Sequence, residues 1–221
     1  MHNPNGYASD RVVVLEQSNY LLSCMTILRN SETTSSAFYE AFENVANQII
    51  AVALNLIPTE PFTVYTPTRL PYNGRRQVKS ICGVSILRAG ASFENVLRKS
   101  YRHNLSMGTI LIQRDEETCL PVYIYSKLPK DIASKSILIL EPMLATGGSA
   151  SKAIEVLKGM DVPEEEIIFV NLVASRKGLD TIVQRFPQLR LVTAAVDEDL
   201  TASNHIAPGL GDFGDRFYGS L

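Results

Sequence analysis

A single carboxylate, Glu141, closes the apolar run Ile137 to Leu140, and the small residues Ala145, Thr146, Gly147, Gly148 and Ser149 follow it. Ala150, Ala153, Ile154 and Leu157 then recur at helical spacing. A buried strand, an acid at its end, a tight turn and a helix is an arrangement that can hold an anion. Glycines let several N–H groups converge, the helix N-terminus adds positive potential, and Thr146 and Ser149 offer hydroxyls. A phosphate monoester fits such a turn. The same residues also make an ordinary strand-to-helix connection, and Thr146 to Ser149 alone leave both readings open. The loop has neither the lysine of a Walker sequence nor GxGxxG spacing, so it gives no support to an ATPase or a dinucleotide-binding protein.

Other residues with chemical potential lie apart from this loop. Gly209, Gly211 and Gly214 punctuate the stretch GLGDFGD near the C-terminus, where bare main chain can approach and read a flat polar ligand; a glycine-rich loop without a ligand is the plainer alternative. Arg88 sits between an apolar run and Ala89-Gly90, and Arg114 precedes the acidic residues Asp115, Glu116 and Glu117. Each is an anion ligand or a surface charge. His103 and His205 are isolated and His2 lies in the terminal stretch, so no general base is evident and any catalysis is expected to rest on charge and positioning. Cys24, Cys82 and Cys119 form no CxxC pair, which argues against a disulfide framework and a zinc knuckle.

The elements that must position these residues alternate along the chain. Phe38, Phe42, Val45, Ile49, Val52 and Leu56 recur at steps of four and three, predicting a helix over Ser36 to Leu56 that Pro58 ends. Residues 62–79 carry Thr66-Pro67-Thr68, two prolines and the turn pair Asn73-Gly74 between short extended pieces, as a protruding hairpin arm would. A strand is expected over Ile81 to Leu87, then a helix carrying Phe93, Val96, Leu97 and Tyr101 behind Ser92 as N-cap. Further strands are read at Gly108 to Ile112, Val122 to Tyr125, Ser136 to Leu140, Ile167 to Ala174 and Leu191 to Val196. Helices are read at Ser149 to Lys158, with Gly159 as a stop, and at Lys177 to Phe186, ended by Pro187. Near-continuous apolar strands alternating with helices imply an α/β fold with a mainly parallel central sheet flanked by helices. Ligands in such folds bind at the carboxyl ends of the strands.

The chain has 221 residues, 45% of them hydrophobic and 20% charged, and a net charge of -2. That suits one domain over residues 1–221, with no internal repeat or linker to divide it. The charge supplies no global field for nucleic acid or an anionic membrane, so any phosphate site must be local. No run of about 18 apolar residues occurs, and the polar start MHNPNGYASDR has no signal-peptide centre. A cytoplasmic protein without nucleic-acid or membrane partners is the expectation.

The segment EPMLATGGS, Glu141 to Ser149, resembles the phosphoribosyl pyrophosphate (PRPP) signature of type I phosphoribosyltransferases, in the form found among uracil phosphoribosyltransferases. The resemblance continues in ILRAG (Ile86 to Gly90), IQRDEET (Ile112 to Thr118), Lys127-Leu128-Pro129 and GLGDFGDRFYGS (Gly209 to Ser220), and covers roughly Thr66 to Leu221. It implies a Mg²⁺-dependent enzyme of pyrimidine salvage that joins uracil to PRPP, giving UMP and pyrophosphate. By the same resemblance, Pro142, Met143 and Leu144 belong to the PRPP-binding residues, the loop Ala145 to Ser149 binds the 5′-phosphate of PRPP, and Glu141 contacts the ribose hydroxyls. The family usually has Asp at that position, so Glu141 is a departure. Arg88 and Arg114 bind pyrophosphate as catalytic residues, joined by Asp212 as a PRPP contact whose carboxylate meets Mg²⁺ through its waters. Ile206, Gly211, Asp212 and Phe213, in a C-terminal segment over 201–221, bind uracil. Mg²⁺ is held mainly by PRPP and water, with no protein cage. For Asp215 and Arg216, a salt bridge to each other is the alternative to a ligand role.

The PRPP loop is shared with enzymes acting on orotate and purines, and an inactive PRPP-binding regulatory homologue is a further alternative. GLGDFGDR favours uracil over the first, and an intact acid and turn favour activity over the second. A homodimer or higher homo-oligomer is expected from the resemblance and from the arm. Some relatives respond to GTP, and Arg69, Arg75, Arg76 and Lys79 are candidates for an anionic effector, with a solvated basic arm as the blander reading.

Overall fold

The computed structural model describes residues 10–101, 104–114 and 121–220. His2, His103, Cys119 and the acidic stretch after Arg114 lie outside them.

The chain begins with β1 (Val12–Val14), α1 (Asn19–Arg29) and α2 (Ser35–Asn55). Ser18 and Thr34 cap the two helices, accepting from the N–H groups of Leu21 and Ala37. α2 buries Phe38, Phe42, Val45 and Ile49, the stripe that its sequence spacing predicts. β1 and α1 have no counterpart in the sequence reading. α1 does bury Leu21, Cys24, Met25 and Leu28, but Leu22 and Ile27 are exposed on its other side and blur the stripe.

β2 (Thr59–Tyr65) and β3 (Pro71–Gln77) form a separate two-stranded antiparallel arm. The turn is not at Asn73-Gly74, which lies inside β3 opposite Thr63 and Phe62. It is at Thr66 to Leu70 instead. The Thr66 N–H donates to the Leu70 carbonyl at 3.0 Å, the Thr66 hydroxyl accepts from the Leu70 N–H at 3.3 Å, and Arg69 takes a φ of 63°. Side-chain closure by a threonine and the fixed φ of Pro67 set the reversal there.

β4 (Ile81–Leu87) leads into a 3₁₀ turn over Ala89–Phe93 and then α3 (Glu94–Ser100). Ser92 is therefore inside the 3₁₀ turn, buried and without a hydrogen-bond partner for its hydroxyl, and does not cap the helix. Next come β5 (Leu105–Arg114), β6 (Pro121–Lys127), β7 (Ser136–Leu140), β8 (Met143–Leu144) and α4 (Gly148–Lys158). β9 (Ile167–Ser175), α5 (Arg176–Arg185) and β10 (Arg190–Asp197) follow. The main sheet runs β1-β10-β9-β7-β4-β5-β6, with β8 also on β9, and every pairing is parallel except β5 with β6.

Every residue of β7 and β9 is buried, as strands covered on both faces must be. Leu138, Leu140, Ile168 and Val170 face a core with α1, α2 and α3, while Ile137, Ile139, Ile167 and Phe169 face a second core with α4 and α5. Past β10 the chain makes the small hairpin β11 (Asp199–Leu200) and β12 (Ile206–Ala207), then α6 (Phe213–Tyr218). The glycine-rich end is thus a short helix and not only a loop. Asp212 caps it by accepting from the Asp215 N–H at 2.9 Å, and Phe213 and Phe217 pack 5.1 and 5.3 Å from the Phe42 ring.

Candidate active site

The carboxyl ends of β4 and β7, the N-terminus of α4 and the β12–α6 segment enclose a cleft of about 400 Å³. Its floor is the turn between β7 and α4. The Glu141 N–H donates to the Val170 carbonyl at 3.1 Å, and the Pro142 carbonyl accepts from the N–H groups of Leu172 and Val173. β8 then pairs with Val173 and Ala174, so the turn stays attached to β9 along its length. Two buried polar side chains of β9 reinforce it. Asn171 Nδ2 donates to the Glu141 carbonyl at 3.1 Å, and Ser175 Oγ donates to the Ala145 carbonyl.

Gly147 precedes α4 with a φ of 83°, and a Cβ there would come within 3.1 Å of Thr181. Only glycine fits both constraints. The Ser151 N–H makes the first helical bond, to the Gly147 carbonyl, so the N–H groups of Gly148, Ser149 and Ala150, residues that line the cleft, have no helical partners. Thr146 and Ser149 hydroxyls have no partner among the described residues. Glu141, Met143, Leu144, Ala145, Thr146, Gly147, Gly148 and Ser149 all line the cleft. Pro142 does not: it is buried and serves the β9 connection.

Arg88 enters from the end of β4, after a cis Leu87–Arg88 peptide bond. Its Nη2 donates to Asp215 Oδ1 at 2.8 Å and its Nη1 to Ser220 Oγ at 3.2 Å. The Tyr218 hydroxyl donates to the Arg88 carbonyl at 3.2 Å. Burial pushes the Tyr218 phenol above its ordinary value, with Arg88 acting the other way, so it remains a protonated donor at neutral pH. Asp215 is therefore not paired with Arg216. The latter turns inward, stacks 4.5 Å over Phe38 and donates to the carbonyls of Leu28, Leu210 and Asn30, because successive positions on a short helix point to different sides. Arg114 ends β5, and its side chain is outside the described residues.

Ile206, Gly211, Asp212 and Phe213 line the opposite wall. Ile206 and Phe213 are buried while Gly211 and Asp212 are exposed, giving an apolar back and an open backbone edge. Arg29 fixes the approach to this wall. It bonds Asp197 through both Nη atoms at 2.8 Å and the Gly209 carbonyl at 2.8 Å, while Asp197 Oδ2 accepts from the Gly209 N–H at 2.9 Å. Asn204 and His205 also line the cleft, with His205 Nδ1 3.0 Å from Ser203 Oγ. In the sequence His205 looks isolated, because nothing in its spacing shows that the β11–β12 turn folds back over the site.

The sequence profile of the family described as uracil phosphoribosyltransferase matches residues 14–220. The chain belongs to the uracil phosphoribosyltransferase family. It is 42% identical over 211 residues to uracil phosphoribosyltransferase 2 of Schizosaccharomyces pombe, covering 96% of each chain. Identity to the uracil phosphoribosyltransferase of Dictyostelium discoideum is 44% over 211 residues, 96% of this chain and 97% of that one. Among solved structures, the AQ2163 protein from Aquifex aeolicus superposes with a TM-score of 0.81 at 30% identity, over 94% of this chain and 97% of that one. The match to the uracil phosphoribosyltransferase family thus spans nearly the whole chain, α1 included.

Proposed function

We propose that this family member is an active uracil phosphoribosyltransferase, forming UMP and pyrophosphate from uracil and PRPP in pyrimidine salvage. The observation that carries the reading is one cleft joining a helix-opening anion cradle, an arginine and a glycine-built slot. The free N–H groups at the start of α4, with Thr146 and Ser149, hold the 5′-phosphate. Glu141 accepts from the ribose hydroxyls. Arg88 and Arg114 hold the departing pyrophosphate, since a guanidinium keeps its charge and forms charge-assisted bonds. With both ends of PRPP fixed, the C1′ carbon faces the base slot in a geometry that favours displacement.

Uracil presents acceptor, donor and acceptor along one edge. Backbone groups of Gly211 to Phe213 read it, against the apolar side of Ile206. Cytosine places an amino donor where uracil has an acceptor, so a backbone N–H there faces another donor and rejects it.

Among the described residues no cluster of three or more His, Cys, Asp or Glu could cage a metal, while the carboxylates of Glu141 and Asp212 line the cleft. Oxygen donors of that kind would suit Mg²⁺ carried on PRPP and water, with Asp212 the carboxylate that would meet its waters. When bound, Mg²⁺ neutralises charge on the pyrophosphate oxygens.

A cytoplasmic homodimer completes the proposal. The arm exposes Tyr65, Leu70 and Tyr72, and the edge strand β6 exposes Val122 to Tyr125, an apolar surface that a second copy would cover. A GTP effector at the arm has less support, since Arg75 bonds Thr59, Arg76 pairs with Glu60 and Lys79 with Glu166. The deciding experiment supplies PRPP and Mg²⁺ with uracil, cytosine, orotate or hypoxanthine in separate reactions. UMP from uracil alone is expected; nucleotide from another base, or none at all, overturns the proposal.

A further inference from the structure

Arg88 is held in place by the far end of the chain. Besides its bonds to Asp215 and Ser220, the guanidinium lies 5.1 Å from the Tyr218 ring centroid, and Ser220 Oγ donates to Asp215 Oδ1 at 3.0 Å. Gly214 makes room for this arrangement: a Cβ there would stand 3.1 Å from Arg88 Nη2. None of Asp215, Tyr218 and Ser220 lines the cleft. Their contacts converge on one side chain that does.

The Arg88–Asp215 pair is 54% and 40% exposed, so its attraction alone contributes little. Its consequence is geometric. Arginine carries a long, rotamer-rich side chain whose freedom must be lost when it grips a ligand, and prior fixation removes that loss from the binding step. Asp215 and Ser220 each occupy one N–H, on different Nη atoms, and the remaining guanidinium donors stay available to an anion.

We propose that Asp215, assisted by Ser220 and Tyr218, is a positioning residue for Arg88, so that the helix whose start frames the base slot also sets the arginine of the pyrophosphate side. This rests on the reading of Arg88 as a pyrophosphate contact. α6 can transmit such a constraint because Phe213 and Phe217 anchor it on α2 through Phe42. The two halves of the active site are thereby joined through one short helix.

Steady-state kinetics of UMP formation on Arg88→Ala, Asp215→Ala, Ser220→Ala and the Arg88→Ala/Asp215→Ala double variant test the inference. Arg88→Ala is expected to raise the KM for PRPP about tenfold or more. Asp215→Ala is expected to raise it about three- to tenfold and to leave the KM for uracil within about twofold. Ser220→Ala, which leaves the carboxylate, moves the PRPP value the same way by less. In the double variant, loss of Asp215 adds nothing, because the side chain it positions is gone. A lower KM for PRPP in Asp215→Ala would make Asp215 a competitor for Arg88 and overturn the proposal. So would a silent Asp215→Ala, or one that adds its full factor to Arg88→Ala. If Arg88→Ala itself leaves the PRPP KM unchanged, the pyrophosphate reading of Arg88 fails first.

Discussion

Asn171, fully buried in β9, donates its side-chain amide to the main-chain carbonyl of Glu141 at 3.1 Å and accepts from the Thr193 hydroxyl at 2.7 Å. One strand therefore fixes the acid at the end of its neighbour. Asn171→Leu keeps the number and branching of the side-chain heavy atoms but leaves the Glu141 carbonyl without its side-chain donor, at a cost of about 1–3 kcal/mol. The thermal midpoint should fall by roughly 2–12 °C in a chain of this size. The KM for PRPP should rise more than that for uracil, which thermal melts and steady-state kinetics would show together.

Glu141 carries the charge that the proposed ribose contact needs. Glu141→Ala should lower kcat/KM for PRPP by roughly 10–150-fold, the range of a hydrogen bond to a charged group. Glu141→Asp keeps the charge one methylene shorter and should retain most activity. Equal loss in both variants would mean that reach, and not charge, governs the contact.

Much of this site is legible in the sequence because its parts are local. The strand Ser136–Leu140, the acid after it and the turn into α4 are consecutive residues, so apolar run, glycines and helical spacing define them together. The hairpin turn departs from its sequence signal for a local reason: Asn-Gly is a strong turn pair, yet Thr66 closes the reversal seven residues earlier in the chain than Asn73 with its own side chain. What depends on distant contacts could not be read. Arg216 looks like a partner for its neighbour Asp215 until the helix direction sends it towards Phe38, and His205 joins the cleft only through the β11–β12 hairpin. Asn171 is polar within an otherwise apolar run, and its bonds to the Glu141 carbonyl and the Thr193 hydroxyl, both distant in sequence, account for its presence.

Asp197 joins β10 to the base slot. It is buried, paired with Arg29, and accepts from the Gly209 N–H. Truncating it to alanine leaves Arg29 without its carboxylate in a partly buried place, which should cost about 3–5 kcal/mol at the upper limit set by fully buried pairs. Functionally, Asp197→Ala should raise the KM for uracil with a smaller change for PRPP, the reverse of the pattern expected at Asn171. Matching shifts for both substrates would show that Gly209 does not transmit position to the slot.

The arm and β6 supply the surface proposed for self-association. Tyr65 is 78% exposed and Leu70 65% exposed, unusual for large apolar side chains grouped on one hairpin. The double variant Tyr65→Asp/Leu70→Asp should shift the protein towards monomer in sedimentation or light scattering while its thermal midpoint changes little. An unchanged mass would place any interface elsewhere.

Gly147 is where backbone conformation and the anion cradle meet. Alanine at its φ of 83° costs about 1–2 kcal/mol from the left-handed conformation alone, and its Cβ would also press on Thr181 at 3.1 Å. The turn can relieve both only by moving the N–H groups ahead of α4, the groups proposed to hold the 5′-phosphate. Gly147→Ala should therefore raise the KM for PRPP by roughly an order of magnitude, since losing one or two charge-assisted bonds is of that size. Adding Thr181→Ala removes the contact from Cγ2 but leaves the φ unchanged, so it should restore only part of the affinity. Full restoration would show that crowding against α5, and not backbone conformation, is why this position is glycine.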